Sequence, residues 1–166
     1  MMKAVWSGIA AAAMVALVST SAFAQTTVNG AINVTANVNA KAKLTLGVAA
    51  INFADADPDV TPSITSAAFN IDVKARTSGL GNVTLTVVAG NDLVSGGDTI
   101  GISALTWTAT GTGFQAGTSN KTTAQTVGSW TGSGSPTGTQ TYALANSWTY
   151  ATGTYTATLN YTLSVP

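Results

Sequence analysis

The sequence contains no cysteine, no histidine and no glutamate. Each absence removes a class of chemistry. Without cysteine there is no disulfide framework, no thiolate nucleophile and no cysteine metal site. Without histidine the usual nucleophile–base pairs and imidazole ligands cannot be built. The acidic residues are all aspartates: Asp55, Asp57, Asp59, Asp72, Asp92 and Asp98. Charge is scarce as well, at 7% of residues with a formal net charge of zero, and no basic stripe is apparent that would attract nucleic acid. Helical surfaces lean on Glu, Lys and Arg. Their scarcity beside abundant Thr, Val and Gly points to an all-β domain. At 166 residues, 45% of them hydrophobic, the chain is long enough for one domain with a real core. Catalysis is not expected, and neither is a cofactor.

The first residues read as a targeting segment. Lys3 supplies a positive n-region, Ala4 to Val18 an apolar core, and Ala22-Phe23-Ala24 an Ala-x-Ala cleavage site. The apolar run falls short of the roughly 20 residues that a membrane span wants. Residues 1–24 are therefore expected to be a signal peptide, with no transmembrane anchor left after cleavage before Gln25.

Immediately downstream is a long alternating run. Val28, Gly30, Ile32, Val34, Ala36, Val38, Ala40, Ala42, Leu44 and Leu46 occupy every second position, and the residues between are polar except Ala31. A period of two means extended chain with one apolar face. At about 3.3 Å per residue this run would reach on the order of 60 Å, more than a small domain is wide. Part of it is expected to lie outside its own domain, seeking a groove on another copy. The competing reading is that Val28 to Val38 forms the first strand of its own sandwich.

The rest of the chain reads as short strands separated by Gly, Pro, Ser and Asp turns, the pattern of an antiparallel β-sandwich. Phe69 to Thr77 and Val83 to Val87 alternate cleanly across a Ser78–Gly81 turn, and a hairpin is expected there. The apolar phase slips between Ala104 and Leu105, which predicts a bulge or a corner. Near the C-terminus, Tyr155, Ala157, Leu159, Tyr161, Leu163 and Val165 share one face, with Thr, Asn and Ser on the other.

These two ends together resemble the structural subunits of chaperone–usher fimbriae. The tail Thr27-Val28-Asn29-Gly30-Ala31-Ile32-Asn33-Val34 is similar to their donor segments, and Gly153-Thr154-Tyr155 through Leu163 resembles their final alternating strand. The Cys-free alternate class is the nearer comparison. The resemblance implies an Ig-like sandwich that is incomplete and is completed by a donor strand. It divides the mature chain into a donor extension, 25–38, and a pilin domain, 39–166. It makes Val28, Gly30, Ile32, Val34, Ala36 and Val38 the donor residues. Tyr155, Ala157, Leu159, Tyr161, Leu163 and Val165 would line the groove. It implies a head-to-tail homopolymer of this chain, a periplasmic chaperone and an outer-membrane usher as partners, passage through the periplasm to the cell surface, and a role in adhesion or biofilm.

Other features carry competing expectations. Asp55, Asp57 and Asp59 have the spacing of the first ligands of a calcium loop, but Pro58 intervenes and no later Glu exists; a solvated acidic turn is the plainer reading. Trp107, Trp130, Trp148, Tyr142 and Tyr150 could form a sugar-stacking face or line the core. Trp148-Thr149-Tyr150 is faintly similar to the Trp-x-Leu signature of cell-wall-binding domains. The alternative function is accordingly a secreted cell-wall, matrix or carbohydrate-binding module.

Overall fold

The computed structural model describes residues 26–166. The expected leader, 1–24, lies outside the described residues. Residues 26–36 are irregular and exposed; residues 37–166 form a compact unit. In chain order that unit contains β1 (Lys41–Leu46), β2 (Ser63–Thr65), β3 (Phe69–Arg76), β4 (Asn82–Ala89), β5 (Leu93–Ser95), β6 (Asp98–Ile100), β7 (Leu105–Thr110), β8 (Gly117–Thr118), β9 (Gln125–Thr131), β10 (Thr137–Ala145) and β11 (Leu159–Ser164). It is an all-β, antiparallel sandwich.

One sheet has the order β1-β3-β10-β7-β8, with β2 continuing along β10 where β3 stops; the other has the order β11-β4-β9. The period-two pattern explains both layers. Phe69, Ile71 and Val73 of β3 point inward and are buried, while Asn70 and Lys74 point outward. Val83, Leu85, Val87 and Ala89 of β4 supply the opposing inner face. Each of these side chains but Ala89 contributes about 1.5–3 kcal/mol by leaving water.

The expected hairpin between Phe69–Thr77 and Val83–Val87 does not form. Both edges of β3 are taken, by β1 and β10, and both edges of β4 by β11 and β9. The two segments bury their apolar faces against each other across the core. The Ser78–Gly81 turn, with Gly79 at φ +56° and Gly81 N–H donating to Ser78 O at 3.2 Å, carries the chain between layers. The phase slip at Ala104 is a corner, a 3-10 turn over Ile102–Ala104. A bulge absent from the sequence reading lies in β9, where Val127 is the extra residue between Leu85↔Gly128 and Thr86↔Thr126.

The centre of the core is aromatic. Tyr142 stacks on Phe69 with ring centroids 6.3 Å apart and meets Trp107 at 5.9 Å. Trp107 donates its indole N–H to Gln115 O at 2.9 Å, so its one polar atom is satisfied. Gly117 lies directly on this ring, and a Cβ there would run into it. Gly117→Ala should therefore destabilise the domain by about 1–3 kcal/mol through overpacking, and Trp107→Ala by about 3–5 kcal/mol through the cavity it leaves. Urea unfolding followed by tryptophan fluorescence measures both.

Candidate functional site

The two flanks of the sandwich differ. On one, the segment after β7 bridges the sheets: β8 pairs with β7, Gln115 N–H donates to Val127 O at 2.8 Å, and Ser129 N–H donates to Gly113 O at 3.0 Å. Phe114 packs edge-on against Trp130 there, with centroids 4.9 Å apart. On the other flank, β1 ends the first sheet and β11 ends the second. The two strands run alongside each other, yet no ladder joins them.

Backbone geometry identifies what this open flank presents. Thr158 C=O accepts from Gly90 N–H at 2.8 Å, on the β4 side. Peptide groups alternate along a strand, so those of Leu159, Tyr161 and Leu163 point away from β4, to the free edge. Gly47 N–H donates to Asn70 O at 2.8 Å. By the same alternation the peptide groups of Ala42, Leu44 and Leu46 face the free edge of β1. The side chains repeat the message. Leu159, Tyr161 and Leu163 lie opposite Ala89, Val87 and Leu85, facing the core, but remain half-buried where their β4 partners are fully buried. Leu44 and Leu46, opposite Val73 and Ile71, are half-buried too.

The remaining residues expected to line a groove fall on either side of β11. Tyr155 and Ala157 precede it and Val165 follows it, all half-buried, while Thr156 between them pairs with Val94 of β5. The expected donor residues Val28, Gly30, Ile32, Val34, Ala36 and Val38 form no strand; Val28, Ile32 and Val34 are 87%, 90% and 88% exposed. Of the alternating run from Val28 to Leu46 only Lys41–Leu46 forms a strand, and the competing reading of Val28 to Val38 as the first strand of its own sandwich is not what the structure shows. Within 37–166 the reason is the partner. Arg76 opposite Lys41 is the last residue of β3, and Thr77 leaves for the other sheet, so the chain before Lys41 has no ladder to join.

A polar node sits beneath the open edge. Tyr161 donates its hydroxyl to Gln140 Oε1 at 2.6 Å and lies 2.7 Å from the Tyr142 hydroxyl. Gln140 and Tyr142 are fully buried, and Gln140 Nε2 has no partner. Burial pushes the Tyr142 phenol up to about 12 and raises that of Tyr161 as well. The sequence reading missed Gln140. Its phase with Tyr142 and Leu144 places it on the inner face, and that parity was the available signal.

Elsewhere the structure separates what spacing had suggested together. Asp57 Oδ1 accepts from Asp59 N–H at 2.9 Å, and Asp59 Oδ1 accepts from the Trp148 indole at 3.1 Å. Among the described residues no three acidic side chains are grouped to share a metal ion. The five aromatics do not make one stacking face. Trp107 and Tyr142 are core, Tyr150 is half-buried against that core, Trp130 packs on Phe114, and Trp148 is 68% exposed. Conversely, the fold assembles a basic face that the linear sequence did not reveal: Lys41 lies opposite Arg76 and Lys43 opposite Lys74, all four exposed. Among the described residues there is one ion pair, Lys121 with Asp92, whose carboxyl is held below the usual range by that contact and by Ile102 N–H.

No family model matches the chain, and no curated protein matches it.

Removing the Tyr161 hydroxyl leaves Gln140 Oε1 buried without its donor. Tyr161→Phe should cost about 1–3 kcal/mol in urea unfolding. The node also sets an alkaline limit. Both phenols are raised in the fold above the unfolded value near 10, so at higher pH the unfolded chain sheds protons that the folded chain retains. Unfolding free energy should hold steady from neutral pH to ~10 and fall as the pH rises towards 12. Tyr161→Phe should fall less steeply.

Proposed function

We propose that this chain is a non-enzymatic, exported structural subunit that polymerises head to tail, the tail of one copy adding as a strand to the open edge of the next. The observation that carries this reading is the half-buried inner row of β11, at an edge with no ladder partner. Exposed apolar edges invite strand addition. An added strand gains main-chain hydrogen bonds at the edge, and its alternate side chains enter the core side. The tail has the matching period and is exposed. Burying Val28, Ile32, Val34 and Val38 would give a gross gain of about 6–12 kcal/mol, an upper figure. Gly30 suits a point of close backbone approach. Such a contact does not close on itself, so it grows fibres. A chaperone that covers the edge before assembly and an outer-membrane usher fit this reading, as does a surface filament serving adhesion or biofilm.

One observation favours a second reading. Trp148 presents an exposed indole beside Asp59, a platform on which a wall glycan could stack. In that case Trp148→Ala lowers binding to isolated cell wall and leaves assembly unchanged.

The mature chain, 25–166, should form fibres in negative stain and ladders on SDS gels run without boiling. The chain lacking 25–38 should form neither, and Ile32→Asp should block assembly without lowering domain stability. Equal behaviour of the full and shortened chains would contradict the reading.

A further inference from the structure

The charges of the domain are sorted along its long axis. β1 enters at Lys41 and runs to Leu46; β3 runs the opposite way and ends at Arg76. The pairs Lys41↔Arg76 and Lys43↔Lys74 therefore gather at the end where the tail joins. Like charges directly opposite across a ladder are destabilising, and none of the four has an ion-pair partner among the described residues. Asp72, across from Thr45, is the one carboxylate on this face.

The remaining aspartates lie at the other end. The 47–62 loop follows β1 and is pinned to the residues after β10. Asn146 Nδ2 donates to Ala56 O at 2.9 Å and to Thr61 O at 3.0 Å, and Trp148 holds Asp59. This fixes Asp55, Asp57 and Asp59, all exposed, at the Leu46 end. Asp92 and Asp98 follow β4 at the same end, where Lys121 neutralises only Asp92.

We propose that the basic face formed by Lys41, Lys43, Lys74 and Arg76 docks against the aspartate-bearing end of a second copy of this chain, so that copies stack with one polarity. The occupant is argued from charge complementarity, and the proposal rests on the assembly reading above. β11 runs towards the basic end, where Thr77 Oγ1 donates to Pro166 O at 2.9 Å. A tail laid antiparallel to β11 ends at the acceptor's acidic end, and its own domain arrives there basic end first. A tail laid parallel would bring two basic ends together. The charge sorting thus selects the antiparallel insertion, which is also the stronger ladder. It also gives a reason for retaining like-charge pairs within one ladder, since the second copy would neutralise them.

The test is assembly of the mature chain, followed by light scattering at low and high salt. Steering between opposite charges accelerates association by 10-fold or more and is lost on screening. The wild-type rate should fall about tenfold or more between 20 mM and 500 mM NaCl. Lys43→Glu/Lys74→Glu should slow assembly at low salt, as should Asp55→Lys/Asp59→Lys, and mixing the two variants should restore a fast first association. Circular dichroism and urea midpoints establish that each variant folds. A salt-independent rate, or a mixture no faster than either variant alone, overturns the proposal. So does retention of wild-type assembly by both variants while the first loses binding to dextran sulfate, which would assign the basic face to an anionic ligand. Failure of the tail reading looks different: the chain lacking 25–38 would then still associate.

Discussion

The structure depends on one unsatisfied edge. Every inner strand of the sandwich has both ladders filled, and the flank at Gly113–Gly117 is laced by backbone hydrogen bonds from sheet to sheet. Between β1 and β11 this does not happen. There the peptide groups of the apolar residues themselves face outward from the ladder, and their side chains reach a core that covers them only in part. Unpaired backbone beside half-buried apolar side chains is a template for another strand. In a chain without cysteine, nothing covalent closes that flank.

Sequence supplies two things that fit such an edge, and they act at different ranges. The tail offers period-two apolar contact, which works only at van der Waals distance. The sorting of Lys and Arg to one end and most Asp to the other acts over about a Debye length, roughly 8–10 Å at physiological salt. In the proposed assembly the first gives strength and the second gives direction. The Tyr161–Gln140–Tyr142 node adds rigidity, because it ties the half-buried open-edge strand to the fully buried Gln140 and Tyr142 at the centre of the larger sheet.

Much of the layer structure was legible because β3, β11 and the Asn82–Val87 part of β4 alternate without error, and alternation alone decides which residues face inward. Ile71, Leu85 and Leu163 could be assigned to the inner face on that basis. Strand partners could not. Phe69–Thr77 and Val83–Val87 read as a hairpin because they are adjacent in sequence, but adjacency says nothing about whether two apolar faces meet edge to edge or face to face. The basic face was hidden for a similar reason: Lys41 and Arg76 are far apart in the chain and meet only through the β1–β3 register. The Val127 bulge was invisible because Gly128 beside it leaves no side chain to mark the phase.

Because the chain has no native cysteine, strand addition can be tested with introduced cysteine pairs. One copy carries Thr162→Cys on the outer side of β11, and a second carries a single cysteine at an outward tail position, scanned over Asn29, Ala31, Asn33, Thr35 and Asn37. Mixed and oxidised, the two should give a disulfide-linked heterodimer at one position of the scan and little at its neighbours, as a strand in register requires. No cross-link at any position would contradict the account. So would a link that forms only when both cysteines are on one chain at high dilution, since the tail would then complete its own domain.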